Sequence, residues 1–270
     1  MRRIRPLAVL SLVVALSTGV LLLGNAPGWL VVVAGFLFVI GGTLTATLIS
    51  EGGDQTAAML RGVPAVFAAE QRGIDLDVAA FLRVSEAYRR GLVRHAEREL
   101  GRVSDPFLHQ GAQTIVDGGS REELERGLQW RIAHVQEQEK RRLHILQTMA
   151  GFAPAFGMLG TLLGLVRMLF GLGDNGLDMV GSAMGFAMIT TVYGLVAANL
   201  AIKPVMSKME QQSRERLAGY HIRYQLLMMM FVRENAALIR ESLQALLDRA
   251  EDGLASPRPL SPSAVRLVQV

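Results

Sequence analysis

The chain has 270 residues, of which 50% are hydrophobic, only 19% are charged and none is cysteine; its mean hydropathy is +0.30. That is too apolar for an ordinary soluble domain of this size and fits an integral membrane protein whose charges are gathered into polar segments. The formal charge of +4 does not indicate nucleic acid, because bases are interleaved with acids along helical stretches, and the lack of cysteine excludes disulfides and thiolate chemistry.

In chain order, MRRIRP is followed by an apolar run from Leu7 to Leu23 and a second from Trp29 to Ile49. Each run is long enough to cross a bilayer, for which roughly 20 helical residues suffice. A signal peptide is the alternative for the first run, with Gly24-Asn25-Ala26 as a small-x-small site. Pro27 directly after that site, and the length of the run, favour a helical hairpin. Arg2, Arg3 and Arg5 then hold the N-terminus in the cytoplasm.

From Ser50 to about Ile145 the chain is polar and Arg-rich, with helical periodicity in 55–71, 78–100, 107–116 and 122–145. A break is expected at Gly62 and Pro64; Gly73, Gly101 with Pro106, and Asp117-Gly118-Gly119 separate the segments. In 78–100, Ala79, Leu82, Ala87, Leu92, Val93 and Ala96 trace the apolar side. The helix beginning at Glu122 is expected to run straight into a third span.

That third span reads AGFAPAFGMLGTLLGLVRMLFGL, and a fourth reads MVGSAMGFAMITTVYGLVAANLAIKP. Gly157, Gly160 and Gly164 mark one helix and Gly181, Gly185 and Gly194 the other, spacings that allow close helix approach. The turn at 171–178 carries two acids and no base, so it is expected outside, with Lys203 and Lys208 marking the return. Arg167 lies about a turn from the outer end, where its side chain can snorkel to the headgroups. Residues 209–250 read as an amphipathic helix with a kink at Pro204 before it. The expected fold is all-α: a transmembrane hairpin over 1–50, a cytoplasmic helical domain over 51–146, two further membrane helices over 147–205, a C-terminal helix over 206–250 and a disordered tail over 251–270. It has four transmembrane helices with both termini cytoplasmic.

Little here carries enzyme chemistry. The run 171–176 fits G-x-G-x-x-G but follows no strand, so a dinucleotide site is not expected. The five histidines lack metal-ligand spacing, and no nucleophile, base and acid converge. No metal, cofactor or catalytic residue is expected. The spans contain no interior Asp or Glu, although moving protons or sodium ordinarily needs a carboxylate. If ions are translocated, the carboxylate must come from a partner helix. Thr161, Thr190 and Thr191 then either offer hydroxyl oxygens to the ion and its waters or simply bond back to their own helix carbonyls. Pro154 and Pro204 are either static kinks or hinges.

The stretches APAFGMLGTLLGLVRML (153–169), GSAMGFAMITTVYGLVAANLAIKPVMSKME (181–210), FVIGGTLTA (38–46), AYRRGLVRHAERE (87–99) and IVDGGSREELERGLQWRI (115–132) together resemble the MotA/PomA subunits of the flagellar stator. The broader group includes the ExbB and TolQ energisers, which typically have three spans. The resemblance implies a homopentamer in the bacterial inner membrane around helices of a MotB/PomB-type, peptidoglycan-binding subunit that supplies the ion-binding Asp. It implies torque on the rotor protein FliG, with Arg89 and Glu97 at the rotor interface. It also implies coupling through Pro154 and Pro204, and an ion pathway past Thr161, Thr190 and Thr191. Threonine at both 161 and 190 resembles the sodium-driven branch, so the transported ion is expected to be Na+ rather than H+. Val31 stands about where the family often has an acid near the start of span two. An ExbB/TolQ-like energiser and a non-transporting membrane scaffold are the alternatives.

Overall fold

The computed structural model describes residues 28–68, 78–171 and 176–255. The expected first span with its arginines, residues 172–175 of the expected turn at 171–178 and the chain beyond Ala255 lie outside the described residues; the last three residues of that turn, 176–178, are already helical. Every described element is helical. Three helices, Gly28–Glu51, Arg121–Phe170 and Val180–Phe231, are long and apolar enough to cross a membrane, the signature of a multi-pass membrane protein. The chain divides into two compact units, one within residues 1–69 and 140–209, the other within 70–139 and 210–270.

The first unit contains α1 (Gly28–Glu51) and α2 (Gly53–Ala68). Gly52 joins them at φ +87°, a left-handed conformation that costs glycine little. The expected break at Gly62 and Pro64 is absent: α2 runs through both. Pro64 and Leu60, four residues before it, lie on the exposed side of α2, where the ring and the carbonyl it leaves unpaired crowd no neighbouring helix. Phe38 and Val39 of α1 pack against Phe186, while Met59 packs with Ile145, Leu146 and Met149. The end of α1 is also held by polar contacts. Thr148 Oγ1 donates to Glu51 Oε1 at 3.1 Å, and His144 Nε2 lies 3.5 Å from the same oxygen.

The second unit contains α3 (Val78–Arg89), α4 (Val93–Leu100) and α5 (Pro106–Val116). The expected single helix over 78–100 is two helices. Gly91 at φ +76° ends the first, with Leu92 N–H donating to the Ala87 carbonyl and Gly91 N–H to that of Tyr88. These are the paired bonds of a Schellman cap. Ala79, Leu92 and Val93 are consequently exposed rather than on the apolar side. The side that is buried is Ala80, Phe81, Leu82, Val84 and Ala87. Glu99 ties α4 to α3 by accepting from Arg83 Nε at 2.8 Å, and it also accepts from Arg102 Nη1 at 2.6 Å.

The next helix, α6 (Arg121–Gly171), has 51 residues and passes through Gly127 and Gly151 without interruption. Ser120 starts it, its Oγ accepting the Glu123 N–H at 3.1 Å, as an N-cap does. Then come α7 (Gly176–Val196), a π-helical segment (Ala197–Ile202), α8 (Lys203–Phe231) and α9 (Ala236–Ala255). The expected helix over 209–250 is therefore broken. Arg233 adopts φ 62° and ends α8, its N–H donating to the Met230 carbonyl and the Glu234 N–H to that of Met229. A left-handed arginine costs roughly 1–2 kcal/mol; its guanidinium stands 5.0 Å over the Tyr88 ring, an attraction that offsets part of this. Asn235 then caps α9, its Oδ1 accepting from Ala237 N–H. Helix continues to Ala255, past the expected start of the tail at 251. Leu226, Leu227 and Met230, from the apolar YQLLMMMF stretch, are fully buried in this unit's own core with Phe81, Leu108 and Ile239.

Candidate functional site

The site is the seam between the apolar half of α6 and α7. Ala153, Gly157, Gly160, Gly164 and Arg167 are the buried positions of α6 from 153 to 167, at steps of four and three that place them on one face. They meet Ala183, Ala187, Thr190 and Gly194 of α7. A β-carbon at Gly157 would stand 3.0 Å from the Thr190 carbonyl oxygen and 3.3 Å from Thr191 Cα. One at Gly164 would lie 2.8 Å from the Ala183 oxygen, and one at Gly194 would lie 2.7 Å from the Ala153 oxygen and 3.3 Å from Pro154 Cα. The backbones touch along the seam, the packing small residues permit in a membrane. α1 closes on the same seam, where Gly35 faces Ile189 and Thr190 and the rings of Phe36 and Tyr193 meet edge to face at 5.6 Å.

The three threonines do not share one environment. Thr190 is fully buried, and its Oγ1 donates into the Phe186 and Ala187 carbonyls, each at 3.0 Å. It fills the space opened by Gly160, where a β-carbon would come within 2.5 Å of that oxygen. Thr161 and Thr191 are half-buried; Thr161 Oγ1 donates to the Met158 carbonyl and Thr191 Oγ1 reaches the Ala187 carbonyl at 3.4 Å. Pro154 backs directly onto Gly194. Pro204 follows the π-helical turn, in which Lys203 N–H reaches back five residues to the Ala198 carbonyl. A proline supplies no N–H and disfavours regular α geometry before it, and π turns recur at functional positions. Of the glycines expected on the fourth span, only Gly194 lies in the seam; Gly181 and Gly185 face open space. Arg167 does not snorkel outward. It continues the seam stripe, 8% exposed, and its Nε meets no acceptor among the described residues.

Arg89 and Glu97 sit in the second unit, at the end of α3 and within α4, both exposed. No described ion pair joins them. Arg89 instead grips Glu86, with Nη2 to Oε1 at 2.8 Å, and Arg90 Nε shares that oxygen at 2.8 Å. These two guanidiniums hold the Glu86 carboxyl down at about 2. A depressed carboxyl gives stability that is present above its ordinary pKa and lost only as pH falls through the folded value. Any melting-temperature difference between the wild type and Glu86→Gln is therefore expected to be the same at neutral pH and at about pH 6. Paired thermal melts of the full chain in detergent check this.

Residues 99–221 match the model of the MotA/TolQ/ExbB proton channel family. The chain is 37% identical over 141 residues to Motility protein A of Borreliella burgdorferi, covering 52% of this chain and 54% of that protein. It thus spans about half the length of that relative. Chemotaxis protein PomA of Vibrio alginolyticus is 30% identical over 192 residues, covering 70% of this chain and 73% of that one. Among solved structures, the MotAB complex of C. jejuni superposes with a TM-score of 0.68 at 19% identity, covering 78% of this chain and 82% of that chain.

Proposed function

This chain belongs to the MotA/TolQ/ExbB proton channel family, and on that premise we propose that it is an ion-conducting stator subunit of a bacterial flagellar motor. It has four membrane spans in the inner membrane, both termini in the cytoplasm, and works as a pentamer around helices of a MotB/PomB-type subunit. The relatives named Motility protein A and PomA support the reading. The observation that carries it is the pairing of a tight α6–α7 seam with unfilled outer faces. Met158, Leu162, Leu165 and Leu169 on α6, and Met188, Val192 and Leu195 on α7, are exposed at steps of four and three. Such stripes suit further helices, from neighbouring copies and from the partner. The spans hold no interior Asp or Glu, so in this reading the ion-binding Asp comes from that partner.

In this reading Thr161 and Thr191 offer oxygens along the ion's path, and Thr190 holds the seam beside it. One charge crossing 100 mV releases about 2.3 kcal/mol, so the contacts that shift with each ion must be nearly equal in energy before and after. The glycine face next to Pro154 and the π-helical turn before Pro204 suit such small displacements. The second unit presents Arg89 and Glu97 to FliG. The experiment is swimming speed against external sodium, in a motile host lacking its own stator and given this protein with its partner. Speed is expected to rise with sodium and vanish without it. Sodium-independent swimming abolished by a protonophore would keep the stator and replace the ion. No swimming despite correct insertion would move the assignment to an ExbB/TolQ-type energiser.

A further inference from the structure

In the second unit a cavity of about 510 Å³ opens between the start of α5, the polar part of α6 and α8. That size lies in the range of about 300–1,000 Å³ usual for small-molecule sites. One wall carries a stacked aromatic pair: the rings of Trp130 and His134 lie 5.5 Å apart with 9° between their planes. Trp130 is 68% exposed, an unusually open position for an indole. Gln138 Nε2, 2.9 Å from His134 Nε2, fixes the orientation of that imidazole.

The other walls carry guanidiniums. Arg216 Nη1 pairs with Glu139 Oε1 at 3.1 Å. Arg223 pairs with Asp105 and lies 5.7 Å over the Tyr220 ring. Arg131, beside Trp130, also lines the cavity and has no hydrogen bond or ion pair with any described residue. Three arginines against two carboxylates leave one positive charge unbalanced beside a flat ring system. A forked guanidinium is the side chain best matched to phosphate oxygens, and exposed aromatic faces accept planar bases by stacking. An acidic peptide would use the arginines but not the stacked face.

We propose that this cavity is a nucleotide-binding site: the base stacks on Trp130 and the phosphates take Arg131, with Arg216 and Arg223 as the second line of charge. The site is separate from the membrane seam and does not rest on the stator reading.

The chain has two tryptophans, so Trp29→Phe leaves Trp130 as the sole tryptophan, read by excitation beyond the tyrosine absorption band. ADP titrated into that full-length variant in detergent is expected to quench Trp130 saturably. Arg131→Ala is expected to weaken this by tenfold or more, about 1.4 kcal/mol, with an unchanged melting temperature. Inorganic phosphate and adenosine alone are each expected to bind more weakly than ADP. Equilibrium dialysis of labelled ADP against the unmodified chain supplies a readout independent of any variant's folding. Absence of ADP retention there, or unchanged quenching in Arg131→Ala, would overturn the proposal. Retention of polyglutamate in place of ADP would overturn it too and mark the cavity as an acidic-peptide groove.

Discussion

Replacing Gly194 by Val is expected to abolish swimming in a stator-deleted host that carries this chain with its partner. A β-carbon at 194 stands 2.7 Å from the Ala153 carbonyl oxygen and 3.1 Å from Gly157 Cα. Both are backbone atoms, so no side-chain rotation relieves the clash and the two helices must part. Parting them removes the contacts of Gly157, Gly160 and Gly164 together, and overpacking of this kind costs typically 1–3 kcal/mol, or about that much. It also pushes Pro154 off α7, whatever movement that proline serves. Gly62→Ala is the matched control. Nothing lies within 4 Å of a β-carbon there, and alanine is the better helix former by about 1 kcal/mol. Swimming assays with membrane-fraction immunoblots separate lost function from lost protein. Normal swimming with Gly194→Val would show that the seam does not need backbone contact.

The second large effect is expected at Asp105, in the other unit. Its Oδ1 accepts the Phe107 and Leu108 N–H groups at 2.9 and 3.1 Å, capping α5, while Oδ2 holds Arg223 of α8. One carboxylate thus serves a helix end and a largely buried guanidinium at once. Asp105→Ala removes both, about 1 kcal/mol for the cap and more for an arginine left without its carboxylate; together roughly 2–4 kcal/mol. Asp105→Asn keeps a good cap and loses only the charge, so it should fall between the two. Thermal unfolding of the full chain in detergent should place the three proteins in that order. Equal melting of Asn and Ala variants would mean that the cap contributes nothing.

How much of this was legible before the structure depends on how local each cause is. The run from Glu122 into the apolar half of α6 was readable because helix formers continue past Gly127 and Gly151, and the apolar stretch that follows is long. The seam glycines at 157, 160 and 164 were readable from their spacing. Gly181 and Gly185 share that kind of spacing yet face open space, since spacing names a face without naming what covers it. The ends at Gly91 and Arg233 were missed for different reasons. Apolar periodicity ran on through the glycine, and the left-handed Arg233 is accompanied by a ring, that of Tyr88, far away in sequence. Thr190 looked equivalent to Thr191, its neighbour, but a one-residue step turns a side chain by about 100° around the helix. Only the position of Gly160 decides which of the two is enclosed. The stack of Trp130 on His134 is a four-residue spacing visible in the sequence; its cavity required α5 and α8 to be brought alongside.

The π-helical turn acts on α7 as a phase shifter. Before it, the inward positions fall at Ala183, Ala187, Thr190 and Gly194, steps of four, three and four. Across it, Gly194, Ala198 and Ile202 follow at steps of four and four, and Met206 and Met209 continue inward beyond. Two successive steps of four, then another to Met206, outrun an α-helix, whose repeat is 3.6 residues; a wider turn absorbs the surplus. Without the extra residue, Ile202 and Met206 would rotate away from Met59 and Ile145, and the exposed Lys203 would turn toward them. The turn therefore lets one continuous rod present an inward face to two different sets of neighbours, a glycine seam first and a methionine cluster after it. Its length in residues is part of the fit. Deleting one residue between Ala197 and Ile202 would restore ordinary helix and misalign one set or the other.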